Sequence, residues 1–352
     1  QLRVVGMPSI EYKPIATENA ENLEYVATFE VYPEIKIGDL STTTIEQLEV
    51  ELQATDIKKT LDTLVKQRAH YSPLKRAAQN GDAMKLILTT FIDGEDAGTP
   101  TYDDDSYIFL GDGNRFSEFD QQLLGLKADE DKTFLITYPD EAKHGRFQGK
   151  KVTHEVKCVE VAKVIYPKID AEFAKSLGIE SGDVNELKAE VSKSLQQEIQ
   201  DRIAVQLKRQ ALEALLKVSD LTVPKLYLDA ERENLLRKAE TELKQRGVTD
   251  VKLDAQMFTD MAVRNVKLRL LVSEVVRSNG LQANPEQIRA QVELFSQNFD
   301  NPAEIVAWYY SDSKRLEQPI ALATENNAVQ WVLERVTLTN KKLEFDALMG
   351  NS

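Results

Sequence analysis

Inside the stretch from Val184 to Val218, six apolar residues fall four apart: Leu187, Val191, Leu195, Ile199, Ile203 and Leu207. A step of four overshoots a helical turn by roughly 40°, so this stripe walks around one long helix instead of marking a single seam. The first half of the helix therefore carries a narrow apolar line between charged residues. Its second half widens into Ile203, Ala204, Leu207, Ala211, Leu212, Leu215 and Leu216, a face broad enough to enter a core. A helix of this kind touches different neighbours at its two ends. It predicts a helical body with this segment as its spine.

Everything from Ile169 onward reads as helix. Val223-Pro224 restarts a helix that ends at Gly247, and Asp254 caps the next, which ends at Gly280. Asn284-Pro285 and Asn301-Pro302 each set a cap residue before a proline at the first helical position. A last helix from about Ser313 to Thr337 contains Pro319, which should kink it. The tail from Lys342 to Met349 is expected to return and pack, with no partner named by the sequence.

Residues 1–37 read as strands with a turn, Pro33 closing the stretch Phe29-Glu30-Val31-Tyr32-Pro33. They hold too few apolar side chains for a core of their own, and complete another domain or lie along the helical body. The segment opens at Gln1 without a methionine and looks mid-protein, so a fragment lacking its natural N-terminus is expected. An amphipathic helix follows from Thr55 to Tyr71, capped by Thr55 or Asp56, with Ile57, Leu61, Leu64 and Val65 on one face. From about Asp82 to Val161 the character changes to short alternating strands. Met84, Leu86, Leu88, Thr90 and Ile92 share one side of a strand ending at Asp93-Gly94. Thr133 to Tyr138 and Lys151 to Val161 are further strands, the latter with Val152, His154, Val156 and Cys158 on one face. Leu110-Gly111-Asp112-Gly113 leads into a short helix with Phe116, Phe119, Leu123 and Leu124. That makes a small α+β domain beside an all-α one.

The chemistry classes narrow by exclusion. A net charge of −14 over 352 residues argues against nucleic acid as a direct ligand, since phosphate contact needs clustered Lys and Arg. A single cysteine, Cys158, excludes an internal disulfide framework and fits a reducing compartment. No run of 18 apolar residues exists to cross a membrane as a helix. Gly111-x-Gly113 lacks the third glycine and the βαβ setting of a dinucleotide loop. Asp103-Asp104-Asp105 lacks the ligand spacing of a calcium loop and reads as a solvated turn. His70, His144 and His154 are scattered, and Cys158 has no neighbouring base. Neither metal nor covalent catalysis is supported, and no cofactor is expected.

What remains is apolar surface on thin helices. The helix Pro224 to Gly247 shows only Leu226, Leu228, Leu235, Leu236, Ala239 and Leu243 among many charges. Ile288, Val292, Phe295 and Phe299 form a four-spaced line, and Ile305, Val306, Trp308, Tyr309 and Tyr310 crowd one short helix. Two readings stand: packing within a helical hairpin, or projecting arms with a surface for apolar polypeptide segments.

Several of these segments resemble the bacterial trigger factor family. Phe29-Glu30-Val31-Tyr32-Pro33-Glu34 is similar to the exit from its N-terminal domain; Pro167, Glu172-Phe173, Gly178 and Leu187 to Val191 resemble the approach to its helical domain. Leu110-Gly111-Asp112-Gly113, Phe119 and Leu124-Gly125-Leu126 are similar to the loop and helix of an FKBP-type prolyl isomerase. The resemblance implies a domain order: 1–37, last strands of an otherwise missing ribosome-binding domain; 38–72, linker with a short helix; 73–165, FKBP-like domain; 166–352, helical chaperone domain with arms at about 223–281 and 282–333. It implies a cytoplasmic, ATP-independent chaperone for nascent or unfolded polypeptides, with the ribosome as partner of the full-length protein and a weak homodimer left open. It assigns substrate contact to Leu235, Leu243, Phe295, Phe299, Ile305 and Trp308. It sets the prolyl pocket at Leu88, Ala97, Phe116, Phe119, Ala142 and His154, where only the two phenylalanines keep the family's aromatics. Tyr102, Tyr107, Tyr138 and Phe147 are the rings able to substitute. The implied outcome is a weak or absent peptidyl-prolyl isomerase; the competing readings are an active isomerase with a substrate-delivering helical domain and a periplasmic helical-plus-parvulin chaperone.

Overall fold

The computed structural model describes residues 3–12, 25–92, 95–96, 107–113, 116–140, 147–246, 248, 252–297 and 299–350. By Cα proximity the chain falls into two compact units, Gln1–Glu51 with Gln197–Ser352, and Leu52–Gln196.

The first unit opens with β1 (Val4–Tyr12) and β2 (Tyr25–Val31), an antiparallel pair. Val5 is its one buried apolar side chain, so the ribbon brings almost no core of its own. It is anchored through Glu30, whose carboxylate accepts the Lys225 and Leu226 backbone N–H groups at 3.0 and 2.9 Å. Those are two of the unpaired donors that every helix start presents. β3 (Thr44–Glu49) completes the N-terminal part of this unit.

In the second unit, α1 runs over Ala54–Gln67. Its N-cap is Gln53 rather than Thr55 or Asp56; Asp56 stands at the third helical position and accepts the Gln53 N–H at 3.0 Å, closing a capping box. The sheet follows: β4 (His70–Pro73), β5 (Asp82–Ile92), β6 (Glu95–Asp96), β7 (Tyr107–Phe109), the short α2 (Ser117–Leu123), β8 (Asp131–Thr137) and β9 (Lys151–Ile165). All pairings are antiparallel, with β9 between β4, β5 and β8. Met84, Leu86, Leu88 and Thr90 are buried on one face, facing Val152, His154, Val156 and Cys158, as the period of two requires. Asp93, Gly94 and Asp103 to Asp105 lie outside the described residues. α3 (Ala171–Ser176) is capped by Asp170, and Phe173, Ala174 and Ile179 pack with Leu61 of α1 and Leu187.

α4 spans Val184–Val218, its start counted with the second unit and the rest with the first. Leu187 and Ile199 are buried on its narrow line; Ala211, Ala214 and Leu215 are buried on its broad face, whereas Ala204, expected there, is exposed. α5 (Lys225–Gln245) follows with Pro224 as its cap residue. A 3₁₀ turn capped by Asp254 leads into α6 (Thr259–Asn279), which ends at Gly280 with φ +63°, a left-handed position that favours glycine. α7 (Pro285–Ser296) and α8 (Pro302–Tyr310) start with proline as expected.

The end of the chain corrects the sequence reading twice. Pro319 kinks nothing: a 3₁₀ turn over Ser313–Leu316 precedes α9 (Glu317–Leu333), and Pro319 falls in its first turn, where an N–H has no helical partner to lose. Nor is everything helical beyond Ile169. Thr337–Lys342 forms β10, parallel to β3 from Thr337↔Thr44 to Lys342↔Glu49, before α10 (Phe345–Met349). The core of this unit gathers Leu40, Ile45, Ala211, Leu215, Leu270, Val275 and Val332 from the segment before β3, β3 itself, α4, α6 and α9.

The anchoring of the N-terminal ribbon generates a prediction. Glu30→Ala removes both acceptors at the start of α5 and should lower the stability of this unit by about 1 kcal/mol. Urea unfolding read by α-helical circular dichroism checks this; an unchanged midpoint would refute the anchoring role.

Candidate functional site

The inner face of the sheet in the second unit gathers rings. Phe119 comes from α2, Phe134 from β8, His154 from β9, and Phe116, Tyr138 and Phe147 from the segments that border α2, β8 and β9. Their centroids lie close: Phe119 to His154 at 5.1 Å, Phe134 to His154 at 5.5 Å, Phe116 to Tyr138 at 5.1 Å and Tyr138 to Phe147 at 5.3 Å. Several of these contacts are edge-on or tilted, the arrangements that ring quadrupoles favour. Phe119, Phe134, Tyr138 and His154 are buried; Phe116 and Phe147 are half-buried and form the accessible rim.

Local chain geometry fixes this arrangement. Gly111 stands at φ +80°, and a Cβ there would collide with the Asn80 side chain, so glycine is required. The Gly111 N–H donates to Asp120 at 2.9 Å, tying the loop to α2 and orienting Phe119. On β9 the alternation carries His154 inward between Val152 and Val156.

Of the six pocket positions read from the sequence, Phe116, Phe119 and His154 meet in this cluster, and Leu88 is buried in the same core. Ala97 and Ala142 lie outside the described residues, as do His144 and Tyr102. Tyr138 and Phe147, two of the rings able to substitute, do stand beside His154, whereas Tyr107 stacks on Tyr71 instead. Phe134 is absent from the sequence list. Its signal was the alternation of Phe134 with Ile136 along β8, both buried.

His154 is the polar member. Its Nε2 lies 3.2 Å from the Tyr138 hydroxyl, while its Nδ1 and the Oγ1 of its cross-strand partner Thr90 have no hydrogen-bond partner. Desolvation lowers the imidazole pKa to about 4, so the ring is neutral at ordinary pH. Burial also pushes the Cys158 thiol up to about 11, with Glu130 and Asp129 adding to it, which makes it a poor nucleophile. Among the described residues no three His, Cys, Asp or Glu side chains gather as a metal site.

The first unit holds the other candidate surface. None of the residues of α5 or α8 is fully buried. Leu235 and Leu243 are half-buried on α5, which packs against α6. α7 packs on α8 and α9. Phe295 and Ile305 are half-buried in that hairpin, with Phe295 5.9 Å from Tyr309. Phe299, Trp308 and Tyr310 remain 55%, 51% and 47% exposed. Trp308 is steadied from outside by the Arg315 guanidinium 4.1 Å above its ring. The six arm residues thus separate into four that share packing and two, Phe299 and Trp308, that face solvent. Among the described residues no helix is long and apolar enough to cross a membrane.

An imidazole whose folded-state pKa lies below its ordinary 6.5 binds its proton more readily in the unfolded chain. The stability His154 allows is complete above that value and is lost as pH falls through about 4, a change on the order of 3 kcal/mol. His154→Phe should therefore lose about that much less between pH 7 and 3.5, read by hydrogen exchange of β9 amides. Equal losses in both proteins would exclude His154 as a source.

Comparison with known proteins assigns the family. The model described as bacterial trigger factor protein C-terminus matches residues 183–334, and that described as bacterial trigger factor protein matches residues 1–64. Trigger factor of Methylobacillus flagellatus is 45% identical over 354 aligned positions, covering 100% of this chain and 81% of that protein. Trigger factors of Thiobacillus denitrificans and Burkholderia multivorans are 39% and 40% identical, with 100% of this chain and 81% of each relative covered. A solved trigger factor chaperone structure aligns over 95% of this chain and 80% of its own at 17% identity, with a TM-score of 0.44. With two fifths of its residues or more shared across its whole length, this chain belongs to the trigger factor family.

Proposed function

We propose that this chain is an ATP-independent molecular chaperone that shelters exposed apolar segments of nascent or unfolded polypeptides between its helical arms, and that its sheet domain is an FKBP-type prolyl isomerase of weak activity. The domains follow: 1–37 as last strands of a ribosome-binding domain, 38–72 as linker, 73–165 as isomerase domain and 166–352 as helical chaperone domain. The setting is cytoplasmic, with the ribosome as a partner.

The observation that carries the chaperone reading is the exposure of Phe299, Trp308 and Tyr310 at 55%, 51% and 47% on one helical hairpin. Large aromatics left half in water are apolar area available to a client. A fully buried apolar side chain contributes roughly 1.5–3 kcal/mol, so a few such contacts barely exceed the roughly 4–15 kcal/mol lost in association. Binding is accordingly weak, adaptable and reversible, which suits shielding with release and needs no nucleotide.

For the isomerase, the chemistry is differential binding. Rotation about the prolyl bond removes resonance, with a barrier of about 18–20 kcal/mol, and the twisted amide is less polar than the planar one. An apolar aromatic pocket favours it. The polar edge of His154, with Nδ1 unpartnered, works against that preference and supports weak activity. The rings of Phe116, Phe119, Phe134, Tyr138 and Phe147 favour the second reading, an active isomerase fed by the helical domain.

Phe299→Ser, Trp308→Ser and Tyr310→Ser combined should lose most suppression of aggregation of a chemically denatured client, with helix content unchanged. Phe295 is left intact because it holds the hairpin. Undiminished suppression in a folded variant would sink the arm reading. A protease-coupled prolyl-peptide assay of the intact chain decides between weak and efficient isomerase, and turnover at the level of an efficient FKBP would reject the weak one.

A further inference from the structure

We propose that His154 is a positioning residue of the prolyl pocket: through the hydrogen bond between its Nε2 and the Tyr138 hydroxyl it holds the Tyr138 ring as a wall of the pocket, so that a prolyl peptide is taken up while the imidazole is neutral. This rests on the isomerase reading of the ring cluster.

The geometry makes Tyr138 the hinge between the inner and outer rings. It is 5% exposed and stands just beyond β8, with its backbone N–H still donating to the Lys150 carbonyl at 3.0 Å, so only its side chain is open to steering. Its ring lies 5.1 Å from Phe116 and 5.3 Å from Phe147, the two rim rings, and its hydroxyl reaches 3.2 Å to His154 in the interior. A displaced Tyr138 would carry the rim with it. His154 is itself fixed: it is 2% exposed, crossed edge-on by Phe119 at 5.1 Å and by Phe147 at 6.1 Å, and held in the ladder opposite Thr90. His154 is thus a fixed partner for the Tyr138 hydroxyl.

Among the described residues, the groups that face His154 are Thr90 from β5, Phe119 from α2, Phe134 from β8, and Tyr138 and Phe147 beyond β8. Only Tyr138 among them titrates. Among the described residues, the charged neighbours of those rings are Asp120, which accepts the Gly111 N–H, and Lys132, which lies 5.9 Å over the Phe134 ring and donates to the Gln122 carbonyl. Burial alone accounts for the depressed imidazole pKa.

In either neutral tautomer one ring nitrogen serves the Tyr138 hydroxyl, as acceptor or donor. Protonation changes this. The imidazolium has two donors and no acceptor, its Nδ1–H would be buried without a partner, and a charge would sit among apolar rings. Such a ring draws water or leaves, and the Tyr138 hydroxyl loses its tie to the interior. By linkage, a peptide that needs Tyr138 in place favours the neutral form and must lower the His154 pKa on binding.

The test uses the full chain with labelled histidine and the probe acetyl-Ala-Phe-Pro-Ala-amide, followed by NMR. Saturating peptide should move the His154 titration midpoint down by about half a unit or more, a shift that corresponds to about threefold weaker binding to the protonated form. His154→Gln keeps a donor and an acceptor without titrating near pH 4, and should bind within about twofold of wild type at pH 7. Tyr138→Phe and His154→Phe should each weaken binding several-fold, in KM rather than kcat. An unmoved midpoint, or wild-type affinity in a folded Tyr138→Phe or His154→Phe variant, overturns the proposal; should His154→Phe not fold, Tyr138→Phe decides. Cis–trans exchange of the same peptide is read in the same samples. Exchange with an unmoved midpoint removes the positioning role alone, binding with the shift but without exchange removes the isomerase reading alone, and no binding at pH 7 removes both.

Discussion

The close packing of small residues on α4 is the constraint on which the first unit depends. Ala211 and Ala214 let neighbouring elements approach the helix, and Leu215, wholly buried directly after Ala214, fills the space beyond. Around this face gather Ile45 of β3, Val266, Leu270 and Val275 of α6, and Val332 of α9. Fully buried leucines of this kind are worth about 2–5 kcal/mol each against alanine, whereas Val205 on the opposite side, 69% exposed, contributes little. The exposed helix faces elsewhere in the unit are affordable because the stability is concentrated here. α5 and α8 can leave apolar residues in water since neither is asked to build the core.

What the sequence made legible follows from that concentration. The bounds of α4, the glycine end of α6, and the proline starts of α7 and α8 rest on periodicity and caps, which are local signals. β10 had no such signal. Thr337-Leu338-Thr339-Asn340-Lys341-Lys342 has every side chain exposed, and its place comes from backbone pairing with β3 nearly three hundred residues earlier in the chain. Side-chain ties such as Lys341 to Glu46 at 2.9 Å decorate that pairing and could not have announced it. Pro319 was misread for a related reason: composition shows a proline inside an apolar stretch, but only the preceding 3₁₀ turn shows that the helix starts there.

The two candidate surfaces were legible to different degrees. Strand alternation pointed Leu88 and His154 inward, and the loop glycines led to Phe116 and Phe119. Phe134, Tyr138 and Phe147 come from separate segments, so their meeting is a product of tertiary packing that no spacing encodes. On the arms, the sequence could not divide hairpin packing from open surface. The structure divides them between Phe295 and Tyr310: Phe299, Trp308 and Tyr310 outside, Phe295, Ile305 and Tyr309 partly inside.

That division changes what the arms can do. If all the aromatics were spent inside the hairpin, a client would have to compete with native packing, and binding would require the arm to open. With Phe295 and Tyr309 already in contact at 5.9 Å, the hairpin stays formed while its outer rings remain exposed. Arg315 over Trp308 keeps that ring from folding back, and donates to the Trp308 carbonyl at 2.8 Å. Holding an aromatic outward in advance spares a client the cost of ordering it. On the proposed reading of the arms, such a surface would be prepared for contact without being sticky enough to trap a client.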